Sequence, residues 1–198
     1  MIVPGALPAV GFAALLVAAG ASWAVGSVNG LTGLRQLVGE AWRQVDEELS
    51  RRQDLIPRLA LTVRRHTPEQ AAVGAVLAAR EQAVQAASGS PPSSRAVAEA
   101  ALGTALADLL AATAGHPLLA ADPDYLALAE ELQGTEDRIT AGRRRYNDAV
   151  RVLQARLRRP AYRVLARTIG MASAEPFDAD AATPSGRSLD AAPPPSTA

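Results

Sequence analysis

The side chains in this sequence that could do chemistry are mostly carboxylates and arginines. The 198 residues contain no cysteine, which excludes disulfides, thiolate metal sites and cysteine nucleophiles. The two histidines, His66 and His116, lie far apart and each sits beside a predicted helix boundary, so neither belongs to a helix-borne metal motif. No catalytic constellation stands out, and we expect a protein that is not an enzyme and that carries no cofactor or metal.

A set of carboxylates gives the alternative to that expectation. If Asp54, Glu130 and Glu136 faced inward, they could act as acid and base or bind a metal. The Glu-x-x-His pairs that di-metal helical bundles use are missing from the sequence, which weakens this hypothesis. A carboxylate-based metal-binding or hydrolytic bundle is therefore the second function that we consider.

Charge is unevenly distributed along a chain whose formal net charge is zero. Residues 122–137 contain six acids and no base, whereas residues 143–167 contain nine arginines and one aspartate, a net charge of +8. Acids at the start and arginines at the end of one helix both favour the helix macrodipole. The basic segment lacks interleaved aromatic residues, so we expect no binding to nucleic acid.

The N-terminus is predicted to anchor the chain in a membrane. Residues 1–34 have no ionisable side chain, and the almost wholly apolar stretch 8–28 is long enough to cross a hydrocarbon core of about 30 Å. The alternative is a secretory signal peptide, because the "AGA" at residues 19–21 resembles a cleavage site. A basic segment before the apolar run is absent and the run is long, so we expect a retained anchor over residues 1–30.

Basic residues predict the orientation of this single-pass anchor in the cell membrane. No arginine precedes the span, whereas Arg35, Arg43 and Arg51 follow it. Positively charged flanks stay on the cytoplasmic side, so the rest of the chain is predicted to face the cytoplasm.

Small residues recur every four positions along the span and give it one shallow face. Another helix could approach closely there, which would make the protein a homo-oligomer. An alanine-rich span also produces such a pattern by chance. The predicted packing face consists of Ala18, Ser22, Gly26 and Gly30.

The rest of the chain is predicted to be an elongated antiparallel helical bundle over residues 31–171. Hydrophobic residues make up 48% of the chain but aromatics only 4%, a composition that favours close-packed helices and an all-α fold. Apolar residues at helical spacing predict two long helices, 31–66 and 123–159, and two shorter ones, 68–87 and 95–114. Short connections favour an up-down-up-down order.

Two features of the long helices carry specific predictions. Pro57 removes a backbone hydrogen bond inside the first helix, so we expect a bend or short break near Asp54. In the second helix, large residues such as Ile139 and Tyr146 alternate along a heptad seam with small ones such as Gly142. Such a seam predicts close, coiled-coil-like packing against the first helix.

The C-terminal part is predicted to return to the membrane. A short amphipathic helix follows Pro160, and the fourth bundle helix would bring it to the lipid surface, where arginines attract anionic headgroups. The predicted surface contacts are Arg158, Arg159, Arg163 and Arg167. The alternative is that this helix caps the lower end of the bundle. Residues 172–198 are predicted to be a disordered tail, with Phe177 as the one candidate for a docked contact.

Two motifs resemble the LemA family of bacterial single-span membrane proteins. They are "AWRQVDEELSRRQDLIPRL" at residues 41–59 and "ELQGTEDRITAGRRRYNDAV" at residues 131–150. The sequence departs from the family pattern at Arg58, where asparagine is usual, and at two Tyr-Asn pairs that are Val28-Asn29 and Leu153-Gln154 here. The resemblance implies a helical bundle on an N-terminal anchor, and it implies no established biochemical role.

These observations favour a membrane-anchored helical module that binds a protein partner or organises an assembly. If the two long helices run antiparallel, Asp54, Glu136 and Arg143 could form an interhelical polar cluster. Clusters of this kind more often fix helix register than catalyse reactions. We therefore expect an interaction or scaffold protein whose protein partner the sequence does not identify.

Overall fold

Only helices occur in the described part of the chain, which confirms the predicted all-α class. The computed structural model describes residues 6–68 and 70–178, with side chains from residue 11 onward. Within them six helices follow one another: α1 Ala6–His66, α2 Gln70–Ala87, α3 Pro92–Thr113, α4 Pro117–Ala120, α5 Pro123–Leu157 and α6 Pro160–Thr168. The four-residue α4 is the one helix that the sequence pattern did not predict.

Helix α1 is continuous, so the predicted anchor and the first bundle helix are a single element of 61 residues. Of the bend or short break expected near Asp54, the break is wrong, because Pro57 lies inside unbroken helix, and the bend stays a prediction. Proline at position 57 leaves the carbonyl of Gln53 without its helical donor. Arg80 of α2 replaces that donor, with its Nε 2.6 Å from the Gln53 oxygen. Packing of α2 against α1 thus satisfies the backbone group that Pro57 leaves open.

Helices α1 and α5 lie side by side and run antiparallel, as predicted. At one end His66 of α1 meets Asp122, the residue that caps α5, with Nε2 and Oδ2 2.7 Å apart. In the middle, a Cβ added to Gly142 would lie only 3.0 Å from Cγ2 of Val45. This close approach confirms the seam of alternating large and small residues.

Asp122 begins α5 as the sequence predicted. Its side chain accepts hydrogen bonds from the backbone N–H groups of Asp124 and Tyr125, at 2.8 and 3.0 Å. The Tyr125 N–H is the main cause of a lowered pKa of the Asp122 carboxyl, and the hydrogen bond to His66 acts in the same direction. The two helices are therefore joined at a defined position where α5 starts.

Two apolar cores lie along the α1–α5 pair. The distal core, far from the N-terminus, joins α1, α2, α3 and α5. Its largest members are Ile56, Leu59, Leu102, Leu109 and Leu132. The proximal core joins the middle of α1 to the second half of α5. Its largest members are Leu31, Leu49, Tyr146, Leu153 and Phe177.

The chain continues past α6 as an ordered segment, which corrects the predicted start of the tail. After Gly170, whose φ of +63° favours glycine, residues 171–178 run without helix and dock on the bundle. We call residues 171–178 the strap. Phe177 is 1% exposed, so the prediction of a docked contact there is confirmed. The bundle therefore extends to residue 178, and the remaining predicted tail, 179–198, lies outside the described residues.

The N-terminal part of α1 is apolar and long enough to cross a membrane. Its large side chains are exposed, among them Leu15 at 70% and Val17 at 72%. Helix α3 is also long and apolar enough to cross a membrane. However, α3 buries two charged residues, Arg95 and Glu99, among its packed positions. The start of α1 is therefore the candidate anchor.

Candidate functional site

Arg52 is the centre of a buried polar layer between the two apolar cores. Its side chain is 4% exposed. Its Nη2 donates to Oε2 and to the backbone oxygen of Glu99 on α3, at 2.6 and 2.9 Å. Its Nη1 donates to Oε1 of Glu136 on α5, at 2.8 Å. One guanidinium therefore joins three helices.

Further contacts extend the layer along α1 and α3. Nε2 of Gln53 donates to the second oxygen of Glu99 at 2.7 Å. Arg95, which is also buried, lies with Nη1 2.5 Å from Oδ1 of Asp46 and stacks over the ring of Trp42. Opposite charges lie in contact throughout, which is the condition under which charged groups can be buried.

Some guanidinium nitrogens in the polar layer form no hydrogen bond within the part of the chain that the structure describes. These are Nε of Arg52 and Nε and Nη2 of Arg95. A buried donor without an acceptor costs about 1–3 kcal/mol. The layer is therefore better suited to fixing helix register than to increasing stability.

The structure corrects the predicted cluster of Asp54, Glu136 and Arg143. Glu136 lies in the polar layer, but Asp54 is exposed on α1 and has no part in it. Arg143 lines a cavity of about 140 Å³ together with Glu136 and Arg52, and its guanidinium stacks over the ring of Phe177. The inward residues of the "RRQD" stretch are thus Arg52 and Gln53.

Arg95 and Glu99 belong to the polar layer and were not predicted to do so, although the sequence contains one signal for them. Arg95 and Glu99 are four residues apart in an otherwise almost uncharged helix, as expected for a charged pair that turns inward. Glu48 and Arg52 have the acid-before-base spacing of an ion pair on the surface of one helix. In the structure Glu48 pairs with Arg138 of α5, with Oε2 and Nε 2.9 Å apart.

The carboxylates of the metal-binding alternative do not come together. Asp54 and Glu130 are exposed, and Glu136 is bound by Arg52. Within residues 6–68 and 70–178 there is no group of three His, Cys, Asp or Glu side chains that could hold a metal ion. Of these acids, Glu136 is the one that pairs with a buried arginine within the described part of the chain.

A groove beside the polar layer holds the strap. Asn147 of α5 contacts the backbone of Phe177 on both sides: its Oδ1 accepts from the Phe177 N–H at 2.8 Å, and its Nδ2 donates to the Phe177 oxygen at 3.3 Å. Tyr146 donates to the backbone oxygen of Glu175 at 2.6 Å, and Gln154 to that of Ala174 at 2.9 Å. Side chains of α5 thus recognise the backbone of an extended peptide.

Aromatic rings line the end of the groove where Phe177 lies. Its ring centroid is 5.3 Å from that of Trp42, which in turn lies 5.1 Å from Tyr146. Burial raises the pKa of the Tyr146 hydroxyl, and the nearby carboxylate of Glu175 raises it further. Tyr146 therefore keeps its proton, which the hydrogen bond to the strap requires.

At the opposite end of the proximal core, α6 packs against α1 where the apolar segment ends. The rings of Trp23 and Tyr162 lie 6.0 Å apart, and the guanidinium of Arg156 lies over Tyr162. Four arginines at this end are exposed, as the predicted surface contacts require. They are Arg158, Arg159, Arg163 and Arg167.

The predicted small-residue face of the span is only partly open. Ala18, Ser22 and Gly26 are exposed. Gly30, however, faces α5 of the same chain, since an added Cβ would lie 3.5 Å from Nη1 of Arg156. Gly30 is thus partly covered by the Arg156 side chain, and the packing face of the span stays a prediction.

The residues that carry the family resemblance meet in these two places. Arg52 and Glu136 belong to the polar layer, while Trp42, Tyr146 and Asn147 form the strap groove. No curated protein matches the chain. Among protein families, the LemA family matches residues 41–187, which is most of the sequence. The chain belongs to the LemA family.

Proposed function

We propose that this protein is a membrane-anchored helical module that binds other proteins or organises an assembly at the membrane. Family membership suggests a membrane-associated protein of unclear biochemical role. The observation that supports the anchor best is the exposure of large apolar side chains at the start of α1, such as Phe12 at 65% and Leu15 at 70%. Residues of this kind are normally buried, so a stretch of them on a lone helix fits lipid.

The second support is the arrangement at the base of the bundle. Because α1 is continuous, the bundle extends directly from the apolar segment. Helix α6 returns to the same level through Tyr162 and Trp23, with Val164 and Ile169 exposed next to its arginines. Each arginine near an anionic membrane contributes about 1 kcal/mol to binding. We infer that α6 lies on the lipid surface.

The alternative of a metal-binding or hydrolytic bundle has no specific observation in its favour. Its three carboxylates are either exposed or paired with Arg52. An interaction role instead fits a helical bundle in which the buried charged side chains connect one helix to another. We therefore propose a non-enzymatic role.

Alkaline extraction of membranes from cells that produce the full chain tests the anchor. The protein should stay in the membrane pellet, whereas Leu15→Arg should release a large part of it, because an arginine near the centre of a span costs about 2.5–3.5 kcal/mol. Leu118→Arg is the matched control, since Leu118 is equally exposed, at 66%, but lies at the far end of the bundle. Complete release of the unaltered chain would disprove the proposal.

Protease treatment of intact cells tests the proposed cytoplasmic orientation. A cytoplasmic bundle is protected until the membrane is permeabilised, and its loss from intact cells would reverse the orientation.

Vesicle binding tests α6 separately. Replacing Arg158 and Arg163 with glutamine should reduce binding to anionic vesicles and leave binding to neutral vesicles unchanged, and an equal effect on both would contradict the surface contact.

A further inference from the structure

The strap is held in a way that is typical of bound peptides. Three side chains of α5 contact main-chain atoms of residues 174–177, and Asn147 contacts both the N–H and the carbonyl of one residue as a neighbouring β-strand would. Contacts to the backbone do not depend on the side chains of the bound segment. The groove can therefore accept a family of extended sequences.

Specificity comes from one aromatic pocket with charge beside it. The Phe177 ring lies against Trp42, and Arg143 stacks over it with Cζ 5.5 Å from the ring centroid. The acid that precedes Phe177 is also bound, because Ser93 of α3 donates to Oε2 of Glu175 at 3.0 Å. The groove thus selects an aromatic side chain with a carboxylate near it.

The groove is larger than the segment that occupies it. A cavity of about 250 Å³ remains next to the strap, between Ala172–Ala174 on one side and Arg35, Val38 and Trp42 of α1 on the other. The strap also joins the bundle through Gly170, a residue with φ of +63° at the end of α6. The strap is short, follows a turn at Gly170 and has one buried side chain, that of Phe177. It can therefore leave the groove without unfolding a helix.

We propose that this groove is a peptide-binding site and that the strap occupies it in cis. Its ligand in trans is an extended segment of a partner protein with one aromatic anchor flanked by carboxylates. The proposal rests on the interaction role given above and adds the place and the chemistry of recognition. Binding of the partner would displace the strap.

A labelled peptide with the sequence of residues 171–180, "MASAEPFDAD", tests the proposal on the full chain in detergent. Trp23→Phe leaves Trp42 as the single tryptophan in the chain, so that its fluorescence reports on the groove. Phe177→Ala removes the anchor of the cis strap. The peptide should bind the Phe177→Ala chain at least about tenfold more tightly than it binds the chain with Phe177. In the latter chain the strap is tethered beside the groove and competes with the peptide at a high effective concentration.

Two controls define where the peptide binds. Adding Asn147→Ala to Phe177→Ala should weaken peptide binding about tenfold, since it removes two hydrogen bonds to the backbone. A peptide carrying alanine in place of its phenylalanine should not change Trp42 fluorescence. The proposal is overturned if the peptide does not bind Phe177→Ala, if it binds the unaltered chain as tightly, or if loss of Asn147 has no effect.

Folding of the variants is checked by helical circular dichroism. If Phe177→Ala loses its helical signal, Phe177→Leu replaces it, because leucine keeps most of the buried volume and loses the aromatic contact. Failure of peptide binding in a chain that still resists alkaline extraction would overturn this proposal alone. Release from the membrane with peptide binding intact would overturn the proposed anchor alone.

Discussion

Arg52 and Asp54 show how much of the candidate site the sequence could predict at the scale of single residues. Both belong to one charged stretch of an amphipathic helix, and their spacing does not decide which of them turns inward. The acid that does decide it, Glu99, comes from α3, 47 positions further along the chain. Periodicity within α1 contains no information about that contact. The sequence therefore predicts that Glu136 belongs to a polar cluster between helices, but it does not show that Arg52 rather than Asp54 is its partner on α1.

Replacing Arg52 with methionine should destabilise the bundle by about 3–5 kcal/mol, because the buried Glu99 loses the cation that is hydrogen-bonded to it. The other cation near Glu99 is more distant, with Nε of Arg95 3.8 Å from Oε1. Arg51→Met is the control. Arg51 also pairs with a glutamate of α5, Glu131 at 2.8 Å, but its side chain is 54% exposed. An exposed pair is screened by water and contributes much less than a buried one. Denaturant unfolding of the two variants checks the difference, and equal losses would contradict the buried role of Arg52.

Tyr146 predicts how the strap responds to alkaline pH. Its pKa is raised in the folded protein, so the neutral form is favoured there and its contribution to stability is complete below the unfolded pKa of about 10. That contribution is lost as the pH rises through the folded pKa. In an absorbance titration of tyrosinate, the signal that Tyr146→Phe removes should appear above the ordinary pKa of tyrosine, about 10. A midpoint at or below pH about 10 would be inconsistent with the buried hydroxyl.

At the scale of elements, the helices with clear start and stop signals were predicted best. Asp122 caps α5 directly before its first residue, Pro123, and Pro160 lies three residues after its last residue, Leu157. The strap could not be predicted in the same way. Its order comes from contacts with Asn147, Tyr146 and Gln154, and a segment rich in Ala, Pro and acids has no periodicity of its own.

Gly142 tests the close packing of α1 and α5. Alanine there would place Cβ 3.0 Å from Val45 Cγ2, and overpacking of this kind costs about 1–3 kcal/mol, more than the roughly 1 kcal/mol gained in helix propensity. We therefore expect Gly142→Ala to lower the melting temperature.

Gly134→Ala in the same helix is the matched control. There an added Cβ meets only Nη1 of Arg138, at 3.3 Å, and that group lies at the end of a flexible side chain. The gain in helix propensity should dominate, so the melting temperature should rise or stay unchanged. If both glycine variants changed stability in the same direction, the α1–α5 contact would not be as close as described.

At the scale of the whole molecule, α1 joins an apolar segment, the candidate membrane anchor, to a bundle with two cores. Length and composition predicted both parts, because an uncharged apolar run and long amphipathic helices have strong signatures. The position of α6 against α1 needed the structure, since Tyr162 and Trp23 are distant in sequence. In the folded chain Trp23 lies at the base of the bundle, and Trp42 lies at the strap groove.

Quenching of these two tryptophans by brominated lipid tests the account most directly. The full chain is reconstituted in vesicles as Trp42→Phe, which reports on Trp23, and as Trp23→Phe, which reports on Trp42. The two positions are about 28 Å apart along α1 at about 1.5 Å per residue, close to the thickness of a hydrocarbon core. Trp23 should be quenched strongly and Trp42 hardly at all. Equal quenching of both, or quenching of neither, would contradict a bundle that extends away from a membrane-embedded start of α1.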